Sequence, residues 1–202
     1  MDAVIMAGGQ GLRLGMGEKP CVELLGKPLI SYVIDSLEGS SRIGRIIVAV
    51  SPSTPATEEL VKEEYGDHIQ AVNTAGDNYV GDMVYAVESS GMDEPVMIIM
   101  SDLPLVTPEL LDSIIDAYEV CGKSSMSVFI PLSLCSEVGI RPDTVFNWAG
   151  QLIVPAGINI LDGKHINEEQ DYHNYMLDDP EIALNINTAE DLKRCEDILR
   201  NR

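Results

Sequence analysis

The chain has 202 residues, 45% of them apolar, with 33 acidic side chains against 13 basic ones and a formal charge of −20. That length fits one ordinary domain with a real core, and the apolar share excludes a disordered chain. The charge excludes nucleic acid and anionic membranes as natural partners, because long-range repulsion opposes both, and it otherwise favours solubility.

No apolar run approaches the length of a membrane-spanning helix. The first residues lead directly into a strand-like segment with no basic flank, so neither a signal peptide nor a membrane anchor is expected. Cys21, Cys121, Cys135 and Cys195 lie far apart and read as free thiols of a reducing cytoplasm. The cations are uneven. Arg13, Lys19 and Lys27 fall early, whereas Lys62 is alone between Ile46 and Gly122, so an anion should bind near the first group.

In chain order, Val4 to Met6 predicts a strand, followed by a glycine loop. Leu29, Ile30, Val33, Ile34 and Leu37 recur at helical spacing, which predicts a helix over 28–37. A strand over 45–50 comes next, then a short helix capped by Thr57, a strand over 69–72 and a helix over 82–89. Val96 to Met100 is continuously apolar, as a strand buried on both faces would be. Thr107-Pro108-Glu109 starts a helix that runs to about Val120, and a strand follows over 127–130. The pattern then changes. Segments 145–148 and 152–154 flank Ala149-Gly150-Gln151 as a hairpin, 158–161 is another strand, and 165–180 reads as an irregular flap. A short strand over 183–186 leads into a last helix, for which Thr188 and Asp191 can form a capping box. The alternation predicts a single α/β domain over 1–202. Its sheet should be Rossmann-like and mainly parallel, flanked by helices, with a C-terminal β-hairpin elaboration.

The first loop reads Ala7-Gly8-Gly9-Gln10-Gly11-Leu12-Arg13 and continues to Lys19-Pro20. Its glycines let several backbone N–H groups face one anion, and Arg13 and Lys19 can neutralise phosphate oxygens. No G-K-[ST] closes the run and no helix starts at its third glycine, so it is neither a P-loop nor a dinucleotide fingerprint. The strand, loop and lysine resemble those of the nucleotidyltransferases, which include sugar-nucleotide pyrophosphorylases and the guanylyltransferases of molybdenum-cofactor synthesis. The resemblance implies a nucleotide-diphospho-sugar transferase-like fold and attack on a triphosphate's α-phosphate, with Lys19, Arg13 and Asp102 as the catalytic set.

Asp102 ends the buried strand in Ser101-Asp102-Leu103-Pro104. A carboxylate there can hold Mg²⁺, a hard ion that takes oxygen ligands and phosphate partners, or it can be a solvated turn residue. In the family this aspartate binds the metal, and Asn187 of Asn185-Ile186-Asn187-Thr188 is implied as a second ligand. His68, His165 and His173 read as surface residues.

Three segments resemble the archaeal guanylyltransferases of cobalamin assembly: Ser51-Pro52-Ser53-Thr54-Pro55, Pro155-Ala156-Gly157-Ile158-Asn159, and the asparagine segment before the last helix. That resemblance implies GTP as donor and adenosylcobinamide phosphate as acceptor. It places Ala7, Gly8, Gly9, Gln10 and Gly11 around the phosphates, and Ser51, Ser53, Thr54, Thr74 and Gly76 around base and ribose. Gly157 would allow close backbone approach to the ligand, or would only begin a strand, and a homodimer is also implied. A transferase for another phosphorylated acceptor such as molybdopterin, and a non-catalytic nucleotide sensor, are the competing readings.

Overall fold

The computed structural model describes residues 1–9, 11 and 14–202. An eight-stranded sheet carries the fold. Strand β1 (Asp2–Met6) is followed by the glycine loop, a 3₁₀ turn at Lys19–Cys21 and a minimal hairpin of β2 (Glu23–Leu24) and β3 (Lys27–Pro28). Helix α1 (Leu29–Gly39) leads to β4 (Ile46–Val50), α2 (Pro55–Tyr65), β5 (Gln70–Asn73), α3 (Tyr79–Ser89) and β6 (Pro95–Met100). Then come α4 (Pro108–Cys121), β7 (Ser125–Pro131), α5 (Leu132–Glu137), β8 (Phe146–Trp148), β9 (Gln151–Asp162), β10 (Tyr172–Met176) and α6 (Ala189–Arg200).

The strand order is β10-β7-β9-β6-β1-β4-β5, with β8 paired to the outer end of β9. β1, β4, β5 and β6 run parallel, as does β10 beside β7, while β9 is antiparallel to both its neighbours. The mainly parallel α/β sheet anticipated from the alternating pattern is therefore present.

Alternation along the strands sorts the core into layers. Ala3, Ile5, Val48, Val50, Met97 and Ile99 face α1, α2, α4 and α5. Val4, Met6, Ile47, Ala49, Val96 and Ile98 face α3. A third cluster seats α6 against Leu14, Val22, Leu24 and Leu105, which brings the last helix beside the first loop. Buried Cys195 belongs to it, and burial pushes its thiol up to about 12. All four cysteines are free.

Several local expectations change. α2 has Thr54 at its N-cap rather than Thr57, because Pro55 already fits the first helical turn. α3 starts at Tyr79 because the Asn78 side chain accepts from the Gly81 N–H. Segment 165–180 is not wholly irregular: β10 within it lies against β7 as the sheet's edge. No strand forms over 183–186. Its buried apolar residues are held by turn bonds, and the Ile186 N–H donates instead to the Asp102 carbonyl, 3.1 Å away. The Thr188–Asp191 capping box is present, with the Asp191 carboxylate also accepting from the Asn187 N–H.

The two late strands, 152–154 and 158–161, are one strand, β9, with a bulge between them. Ser127 pairs with Asn159 but Phe129 pairs with Pro155, so the extra residues of β9 must be absorbed locally. Gly157 does this at φ +77°, and a Cβ there would lie 3.0 Å from Met100 Cγ. Gly157→Ala is expected to lower the unfolding free energy by about 1–2 kcal/mol in urea titration, from left-handed backbone strain.

Candidate active site

The carboxyl ends of β1 and β6 open into a cleft of about 580 Å³. Gly9, Gly11, Lys19, Asp102, Asn185 and Asn187 line it. These residues come from the first loop, the end of β6 and the approach to α6, so the fold assembles the site from distant stretches. Arg13 and Gln10 lie outside the described residues.

Asp102 is 6% exposed. Lys19 Nζ donates to its Oδ2 as an ion pair, and donates also to Asn187 Oδ1 at 2.8 Å. The other carboxylate oxygen, Oδ1, is buried with no hydrogen-bond partner among the described residues. A buried carboxylate oxygen without a donor is costly unless a ligand completes it. The donor set is two hard oxygens, Asp102 and Asn187, and among the described residues no group of three or more His, Cys, Asp or Glu gathers around a metal position. That suits a hard ion that draws its remaining ligands from phosphate and water.

Three local constraints bring Lys19 to Asp102. Gly11, at φ +57°, passes so close that a Cβ would lie 2.6 Å from Lys19 Cβ, which makes that glycine a packing requirement. Pro20 fixes the 3₁₀ turn that carries Lys19. The third constraint is Glu18, which sequence reasoning passed over. Its carboxylate accepts from the Ala56 N–H at 2.8 Å, the Thr57 N–H at 2.7 Å and the Thr57 hydroxyl at 2.8 Å. It thus caps α2 from across the molecule, satisfying N–H groups that Thr54 leaves open. The adjacent Cys21 thiol, 3.3 Å from the Thr57 hydroxyl, is pushed up by burial, with that hydrogen bond partly offsetting it, and so stays a neutral thiol.

Ser51 joins the next two loops. Its hydroxyl donates to the Gly8 carbonyl at 2.8 Å, and Cβ atoms at Gly8 and Gly76 would both crowd it, at 3.2 and 3.0 Å. Ser53 donates its N–H to Ser51 Oγ. Thr54 and Thr74 are buried; the Thr54 hydroxyl donates within its own turn to the Ser51 carbonyl, and the Thr74 hydroxyl reaches across to the Val50 carbonyl at the end of β4. They shape the loops from inside. Ala7 is likewise buried, with its N–H donating to the Ala49 carbonyl.

A recess lined by Gly8, Gly76, Tyr79 and Asp82 adjoins the main cleft through Met6, Gly9 and Met100. Asp82 accepts from the Gly76 N–H at 2.9 Å. Gly157 is not among the residues lining either space; it packs over Met100, which lines both. The structure therefore brings Gly8, Gly9, Gly11, Lys19, Asp102, Asn187 and Gly76 around one connected cleft, with Ser51 buried behind Gly8 and Gly76. Asn185 and Asp82 join them, and only the loop position of Asn185 and the helix-start position of Asp82 could have pointed to these two.

A glycine-turned loop, an amine and a buried carboxylate at the carboxyl ends of an α/β sheet make up the apparatus of nucleotidyl transfer. The chain belongs to the MobA-like NTP transferases: the model described as a MobA-like NTP transferase domain matches residues 3–131. It is a nucleotidyltransferase. An adenosylcobinamide-phosphate guanylyltransferase of Methanocaldococcus jannaschii is 36% identical over 99% of this chain and 98% of its own length. A probable molybdenum cofactor guanylyltransferase of Thermococcus gammatolerans is 34% identical over 62% of this chain and 60% of its own. The crystal structure of 4-diphosphocytidyl-2C-methyl-D-erythritol synthase from Anaerococcus prevotii shares the fold, with a TM-score of 0.71 and 13% identity over 98% of this chain and 97% of that one.

Glu18→Gln places an amide N–H₂ against donors and is expected to lower stability by about 1–2 kcal/mol in thermal or urea melts. Nucleotide affinity, measured by calorimetry, should fall with it, whereas a purely local cap would leave affinity unchanged.

Proposed function

We propose that the chain transfers GMP from GTP to adenosylcobinamide phosphate, giving adenosylcobinamide-GDP and pyrophosphate. The observation that carries this reading is identity held over the whole chain, 36% across 99% of it. The cobinamide-phosphate relative matches essentially end to end, whereas the molybdenum-cofactor relative matches only 62% of the chain. Relatives that share the acceptor should match beyond residues 3–131, the part common to the wider family.

The acceptor is a phosphate monoester and already ionised, so no general base is needed. One of its oxygens forms a bond to the α-phosphorus while the bond to the bridging oxygen of the β-phosphate breaks, and that electron pair leaves with pyrophosphate. What remains for the protein is alignment and charge neutralisation. Lys19 supplies charge at Nζ, and incoming phosphates compete for it with Asp102 and Asn187. Arg13 serves the same triphosphate. The glycine loop offers N–H groups to the phosphates. The nucleoside runs over Gly8 and Gly76 into the recess beside Tyr79 and Asp82, with Ser51 and Ser53 along its edge.

Asp102 and Asn187 would hold Mg²⁺, and the uncompleted Asp102 Oδ1 supports this. When bound, the ion supplies further charge neutralisation to the phosphates. A cytoplasmic setting belongs to the same reading, supported by four free thiols. So does a symmetric dimer, the commonest soluble assembly.

Pyrophosphate release should require GTP, Mg²⁺ and adenosylcobinamide phosphate together; release with CTP and a sugar phosphate, but not with this set, would overturn the reading. Lys19→Ala and Asp102→Ala are each expected to lower kcat by about 10²-fold or more. A fully active Asp102→Ala protein would remove the metal assignment.

A further inference from the structure

The sheet is covered unevenly. On the side that faces α3, helix packing extends over β4, β1 and β6 through Met83, Ala86 and Val87. Among the described residues no α-helix continues that layer over β9, β7 and β10; only Leu161, at the far end of β9, joins it beside Ile166. The register identifies what lies there: Ser127 pairs with both Asn159 and Asn174, and Phe129 pairs with Pro155, so all five share one face. The β8–β9 hairpin extends this face, because Phe146 pairs with Ile153 and Trp148 with Gln151, two steps and four steps along the strand from Pro155. Phe146 meets Phe129 edge-on at 6.2 Å. Trp148, the sole tryptophan, is 42% exposed, and Phe146 is 49% exposed.

We propose that this uncovered face receives the body of the acceptor, a corrin macrocycle rimmed with carboxamides. The inference rests on the acceptor reading given above. Three observations select that occupant. The first is continuity: Met100 lines the cleft and lies against Gly157 of β9, so the face begins beside the cleft. The second is size. A cleft of about 580 Å³ suits one nucleotide-sized ligand, and a macrocycle must lie outside it. The third is chemistry. In a chain with 33 acidic residues, none of the named side chains on this face is charged. Ser127, Asn159 and Asn174 offer hydroxyl and amide partners to carboxamides, while Phe129, Pro155 and Trp148 offer flat apolar surface to a conjugated ring. The bulge at Gly157 turns this part of β9 next to the cleft without closing it off.

The test uses the full chain with adenosylcobinamide phosphate as substrate and phosphate-free adenosylcobinamide as a competing probe of the body alone. Trp148→Ala and Pro155→Glu both alter exposed side chains, and thermal melts establish that each variant folds. Each is expected to raise KM for adenosylcobinamide phosphate at least tenfold and to weaken inhibition by adenosylcobinamide to the same degree, with GTP affinity by calorimetry unchanged. Val120→Glu, an exposed change on α4, should move none of these. An unchanged corrinoid KM in both folded variants would overturn the proposal. So would variants that lose self-association in sedimentation while keeping the corrinoid KM, since the face would then be covered by a second copy. If the wild type guanylylates no corrinoid at all, the acceptor reading itself fails, and that result is distinct from either of these.

Discussion

Burying a carboxylate commits a chain to bringing it a positive charge, and here that commitment organises the site. Asp102 ends a strand enclosed on both faces, where an unpaired charge would be costly. The matching amine arrives from the first loop, and the Asn187 amide arrives from the segment before the last helix. Each approach depends on its own local device. Gly11 leaves room for Lys19, and the Asp191 carboxylate gathers the N–H groups of Asn187 and Thr188. Breaking a buried pair of this kind leaves one partner uncompensated, so these devices depend on one another.

The same arrangement separates positioning from chemistry. Glu18 sits next to Lys19 in sequence, yet its carboxylate points the other way, onto the start of α2. The turn that leads into α2 is tied in its turn to Gly8 through Ser51. The phosphate-facing loop, the lysine and the loop after β4 are therefore hydrogen-bonded into one unit. A site that must align two anionic groups for in-line attack gains from such rigidity, because misplacement by an ångström is costly to rate.

Antiparallel β9 gives the fold its asymmetry. Inserted between β6 and β7, it ends the run of parallel strands and carries the hairpin outward. One half of the sheet has α3 over one face, while among the described residues no α-helix covers that face of the other half.

The sequence by itself determined the alternating α/β order, the glycine loop, Lys19, the strand-end aspartate and the capping box of the last helix. These are local signals: apolar period, turn chemistry and residue type within a few positions. Only the tertiary structure decided that Lys19 lies between Asp102 and Asn187, because those contacts span 83 and 168 residues. It also decided that Glu18 caps a helix beginning at Pro55, that 165–180 supplies an edge strand, and that 183–186 forms none. Periodicity records which side chains avoid water. Which backbone groups find one another across the chain is fixed only when the layers pack.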